Sequence, residues 1–169
     1  MIENSGDLKR IEGFFDRFIF GLMKGDLKNA LQAHTDHLAA LGLAVCTEVL
    51  GGLLTGELRE ERKSKSNFKA FLKYMGNEYF KYADQLYNTV RCGLVHEYFL
   101  REEPPAKLLS KYWAVRGVFE EEGKLFLHLP TYFHDLFESA EKYYQELKSR
   151  NNDLISKFNK AAWADVEDI

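Results

Sequence analysis

Apolar residues fall into helical stripes over most of the chain. Leu8, Ile11, Phe14, Phe15, Phe18 and Leu22 recur at such spacing after Ser5, an N-cap candidate, and Asp7, an acid in the first turn. They predict a first helix ending at Gly25. A second is expected from near Asp26 or Asn29, through His34, His37, Leu41, Val45, Glu48 and Val49, until Gly51, Gly52 and Gly56 loosen it. Its broad apolar surface suits a central position. Residues 57–67 mix both signs of charge without apolar period and read as a solvated connection. Ser66 or Asn67 is the expected cap of a helix carrying Phe68, Phe71, Leu72 and Met75. From Asn77 to about Leu100, Tyr79, Ala83, Leu86, Val90 and Leu94 line one stripe, predicting a long helix that stops before Pro104 and Pro105.

The pattern then changes. Y-W-A-V-R-G-V from Tyr112 and K-L-F-L-H-L from Lys124 are β-prone runs flanking F-E-E-E-G, which predicts a β-hairpin between residues 112 and 129. Pro130 suits the first turn of a helix bearing Phe133, Leu136, Phe137, Ala140, Tyr144 and Leu147. A turn near Asn151 and Asn152 and a short helix around Leu154, Ile155, Phe158 and Trp163 close the chain. Residues 1–169 read as one mainly α domain, with residues 101–129 a loop and hairpin elaboration within it.

Composition narrows the classes of function. With 46 % hydrophobic and 14 % aromatic residues the chain is built to fold, and 3 prolines and 12 glycines are too few for a turn-rich sandwich or barrel. A net charge of -3 excludes coating nucleic acid through bulk charge, so any RNA contact must be local. Cys46 and Cys92 form neither a C-x-x-C pair nor a disulfide framework, and the first fifteen residues lack the apolar run of a signal peptide. A cytoplasmic location is expected. The apolar window from Leu38 to Leu54 is interrupted by Thr47 and Glu48, which favours a buried helix over a membrane span; no membrane partner is expected.

Candidate chemistry concentrates in Y-N-T-V-R-C-G-L-V-H-E-Y-F-L, residues 87–100. Arg91 and His96 lie five positions apart, which on an ideal helix leaves them roughly 140° apart and about 7.5 Å along the axis, on opposite shoulders of the Val90 stripe. Gly93 between them permits a bend or close approach of a second backbone. Glu48 interrupts an apolar surface and needs a partner if buried, for which Arg91 is a candidate.

The segment R-C-G-L-V-H-E-Y resembles the R-x(4)-H-x-Y form of the HEPN superfamily. The resemblance covers residues 87–99 and implies an HEPN-like helical bundle, here with a small β-hairpin insertion. It further implies a metal-independent endoribonuclease in a toxin-antitoxin or phage-defence setting, with Arg91 and His96 catalytic. Expected partners are RNA, a second copy of the chain meeting it near Gly93, and a cognate antitoxin or nucleotidyltransferase that modifies Tyr98. The position after the motif arginine, often Asn, Asp or His in that family, is Cys92, a weaker hydrogen-bonding group. That residue suits the alternative, a non-catalytic HEPN-like module that binds a nucleotide, RNA or protein or serves in dimerisation.

Other signals carry less. H-E-x-x-H would need a histidine where Leu100 stands, and His34, Asp36 and His37 make an incomplete ligand set. No metal or cofactor is expected. Arg59, Arg62, Lys63 and Lys65 are diluted by Glu57, Glu60 and Glu61 and read as part of the solvated loop.

Overall fold

A computed structural model describes residues 3–100, 106–111 and 116–162. The chain begins as one continuous helical rod: α1 (Glu3–Phe14), a π-helical stretch (Phe15–Met23) and α2 (Lys24–Gln32). The expected end at Gly25 is corrected. The rod stops where His34 takes the left-handed conformation, with φ 54. There the His34 N–H bonds to the Leu31 carbonyl and the Thr35 N–H to that of Ala30, each at 3.1 Å, a Schellman closure with histidine in the usual glycine place. The wider π turns also rotate the buried face relative to the 3.6-residue template. Ile11, Phe14, Phe15, Phe18 and Ile19 are buried, whereas Leu22 is 55 % exposed.

α3 (Asp36–Thr55) starts only after that turn, so His34 and His37 share no helix face. It also runs straight through Gly51 and Gly52 and ends at Gly56, whose φ of 79 suits glycine. Those two glycines are a contact surface, not a loosening. A Cβ on Gly51 would lie 1.8 Å from the Asn67 carbonyl oxygen, so the missing side chain is what lets α4 (Ser64–Met75) approach. α4 begins before the expected caps, and Asn67 is buried: its carboxamide accepts from Thr55 Oγ1 at 2.9 Å and donates to the Glu57 carbonyl at 3.3 Å. α3 has the length and apolarity of a membrane span, and 56 % of that window is buried within the fold. α4, α8 (Leu129–Lys148) and α9 (Asn152–Ala161) all pack on it.

The long helix expected from Asn77 is broken. α5 (Asn77–Phe80) is a single turn, followed by a second rod made of α6 (Ala83–Leu86), a π stretch (Tyr87–Cys92) and α7 (Gly93–His96). The break sets α5 so that Tyr79 donates to Asp135 and packs T-shaped on Tyr132, both on α8. The predicted stripe holds: Tyr79, Ala83, Leu86, Val90 and Leu94 are buried, joined by Thr89 and Gly93.

Three short strands follow, in the order β1-β3-β2. β2 (Val118–Glu121) and β3 (Lys124–His128) form the hairpin, turned by Glu122 and Gly123 at φ 51 and 74, as a two-residue type I′ loop requires. Phe119 and Phe126, cross-strand partners, stack at 5.2 Å on one face, while Val118, Leu125 and Leu127 enter the core. The hairpin is thus tighter than expected, since Phe119–Glu121 belong to a strand; the predicted run at Tyr112 falls partly outside the described residues. β1 (Ala106–Leu109), which was not expected, pairs parallel to β3, and Ser110 ties this edge to α3 through Asp36 Oδ2 at 2.7 Å. Pro130 lies in the first turn of α8, as read, and Asn151, expected in a turn, caps α9; Trp163 lies outside the described residues. One contiguous buried cluster joins α1, α3, α4, the motif rod, the sheet, α8 and α9.

Candidate functional site

Arg91 sits in the π stretch, where its side chain turns back on α3. Its Nε donates to Glu48 Oε2 at 2.9 Å and its Nη2 to Oε1 at 3.4 Å, a side-on pair with both side chains 19 % exposed. The lone acid on the apolar surface of α3 therefore has the partner its burial demanded. Partial burial acts to lower the Arg91 pKa, but the hydrogen bond and charge of Glu48 outweigh it and hold the guanidinium above its ordinary value. The two bonds use two of five N–H donors, so the group keeps capacity for a phosphate oxygen.

Tyr87, one helical turn before Arg91, shapes the other side. Its ring lies 5.6 Å below the Arg91 guanidinium and 5.9 Å from the Lys65 ammonium, and its hydroxyl pairs with Ser64 Oγ at 2.8 Å. Nothing in the spacing of the motif singles out Tyr87, but an aromatic residue four positions before an arginine on one helix is the available signal. Cys92 is a half-buried free thiol within electrostatic range of both Arg91 and Lys65. Cys46 differs: burial pushes its thiol up to about 12 and leaves it a core filler.

His96 is the last residue of α7 and is exposed. Among the described residues no hydrogen bond or ion pair joins it to Arg91, so the two stand on one rod without touching through polar groups. The backbone then turns sharply. Tyr98 has φ 62, a left-handed conformation that costs a bulky residue about 1 kcal/mol. Tyr98 is 52 % exposed and its ring stacks on His37 of α3 at 5.9 Å, with Phe99, 66 % exposed, set edge-on to His37 at 6.3 Å. His37 thus belongs beside the motif and not to a metal set with His34.

Gly93, Val90 and Leu94 are buried within the single chain. Their surface is used by the fold of the single chain, and the apolar residues left open on this rod and its exit are Val95, Tyr98 and Phe99. A different group of donors, His134, Asp135 and Glu138, clusters on α8 with its ligand atoms within 4.8 Å of one another, but Asp135 already accepts from Tyr79.

Fold and site together define a mainly α domain with a small three-stranded sheet, in which an arginine and a histidine occupy one interrupted helix at the edge of the bundle. No protein-family model, curated protein or solved structure matches the chain.

Proposed function

We propose that the protein is an HEPN-like, metal-independent endoribonuclease. His96 moves the proton of the RNA 2′-hydroxyl, or returns one to the leaving 5′-oxygen, while Arg91 stabilises the negative charge that builds on the phosphate. The 2′-oxygen attacks phosphorus as the P–O5′ bond breaks, leaving a 2′,3′-cyclic phosphate and a 5′-hydroxyl. The observation that carries this reading is the Glu48–Arg91 pair, which holds the guanidinium on the motif rod without consuming all of its donors. Because Arg91 and His96 lack a direct contact, the working unit is a homodimer joined over Val95, Tyr98 and Phe99, so that each site draws on both copies. In a toxin-antitoxin setting the hydroxyl of Tyr98, an exposed residue, is the group that a partner nucleotidyltransferase would modify.

The test is cleavage of mixed RNA in the presence of a chelator. Substituting His96→Ala should lower the rate at least about a hundredfold, and wild-type products should end in a cyclic phosphate. Equal cleavage by wild type and variant would sink the reading. A second reading, a non-catalytic module, draws on Cys92, which replaces a polar orienting group beside Arg91 with a thiol; RNA bound but left uncut by the wild type would favour it.

A further inference from the structure

Away from the motif, a cleft of about 570 Å³ opens between α4 and the α5–α6 corner, lined by Arg62, Lys65, Lys69, Lys73, Phe80 and Asp84. Four cations face one carboxylate in a chain whose net charge is -3, so the positive field is local. Lys65, Lys69 and Lys73 recur every fourth residue along α4 and so form a ladder with steps of about 6 Å. That step is close to the separation of neighbouring phosphates along an extended strand.

Asp84 holds the lower rungs in place. Its two oxygens take Lys65 at 2.8 Å and Lys69 at 2.7 Å, and their hydrogen bonds bring its carboxyl down to about 2. With the Asp84 side chain 61 % exposed these pairs are weak, and a phosphate can exchange for the carboxylate. At the far end Phe80 is 39 % exposed and the Lys73 ammonium lies over its ring, 5.8 Å from the centre, where a stacking base would displace it. At the near end Lys65 lies over Tyr87, the same ring that carries Arg91. Ladder, platform and motif therefore form one continuous surface.

We infer that this cleft is a binding track for single-stranded RNA: Lys65, Lys69 and Lys73 contact successive phosphates, a base stacks on Phe80, and the strand leads over Tyr87 to Arg91. The choice of RNA rests on the ribonuclease reading; the ladder and the platform do not. An acidic polypeptide would use the cations, but it has no flat ring for Phe80, and stacking on an aromatic face is what distinguishes a single strand from other polyanions.

The test uses a fluorescein-labelled 2′-O-methyl oligouridine, which the wild-type protein cannot cut through a 2′-hydroxyl, and reads anisotropy over a salt series. The double variant Lys69→Gln, Lys73→Gln should bind at least about tenfold more weakly and lower the salt slope by roughly two. Phe80→Ala should weaken binding about fivefold or more with an unchanged slope. Asp84→Asn should tighten it, an outcome that no loss of folding can mimic. Failure of the wild type to bind, unchanged affinity and slope in the lysine variant, or displacement by polyglutamate as effective as by unlabelled RNA would each overturn the track. The two readings fail separately: binding as described without cleavage of natural RNA sinks the nuclease and keeps the cleft, whereas cleavage indifferent to the lysines does the reverse.

Discussion

α3 meets its neighbours through two unlike seams. Against α4 the seam is made by subtraction, with Gly51 bringing backbone to backbone and the buried amide of Asn67 bonded to Thr55 and Glu57. Against the motif rod the seam is made by addition: Glu48 reaches Arg91, and His37 stacks on a strained Tyr98. Close backbone packing leaves nothing for a ligand to touch, while side chains that bridge a gap keep unused donors and open ring faces. One helix thus serves as a rigid floor on one side and as a polar support on the other. Tyr98, a bulky residue in the left-handed region, stands on the second side, while His34, Arg62, Glu122 and Arg150 take positive φ in turns elsewhere.

The difference is most exposed to failure at Gly51. Gly51→Ala should destabilise the protein by about 3 kcal/mol, since its methyl group meets the Asn67 backbone oxygen and not a movable side-chain tip. Denaturant unfolding measures this. An alanine variant with the wild-type midpoint would mean that the α3–α4 seam is loose, and the contrast between the two seams would disappear.

That seam also marks where sequence reading stops. Stripes of apolar residues located most of the rods, because which face is buried is decided by spacing within the rod itself. A glycine pair, however, reads equally as a flexible end or as a site of close approach, and only the partner helix decides. The π turns escaped for a related reason: Leu22 fits a 3.6-residue stripe, but packing of the Phe14–Ile19 cluster rotates it to the surface. β1 has four residues and a parallel partner across the hairpin, too little pattern for its length. At the site, the Glu48–Arg91 pair was legible because a carboxylate on an apolar face demands a cation. The lysine ladder was not, because placing Lys65 in a loop divided a run whose period appears only once α4 is known to start at Ser64.

A smaller effect is expected on the open seam. A double-mutant cycle on Glu48→Ala and Arg91→Ala should give a coupling energy of about 1–2 kcal/mol in thermal or denaturant unfolding, because both side chains are mostly shielded from water. The coupling should survive added salt better than that of the exposed Lys157–Asp153 pair on α9. A value near zero would place Glu48–Arg91 among ordinary surface pairs and remove the support on which the proposed phosphate site stands.

The smallest effect should carry the opposite sign and lies outside both seams. Gly25 stands within the first rod, at a position with right-handed helical residues before it and open space around it: a Cβ there meets nothing within 4 Å. Alanine in a helix interior is favoured over glycine by about 0.5–1 kcal/mol, chiefly because the unfolded chain loses freedom. Gly25→Ala should therefore stabilise the protein by that amount while Gly51→Ala destabilises it, although both are the same chemical change in helices of the same bundle. If Gly25→Ala destabilised instead, the rod would bend or break at Gly25 in solution, as the apolar pattern alone suggests. Amide exchange across residues 24–32 separates these outcomes: a continuous rod protects the amides on both sides of Gly25, whereas a break leaves those just after it as exposed as the start of any helix.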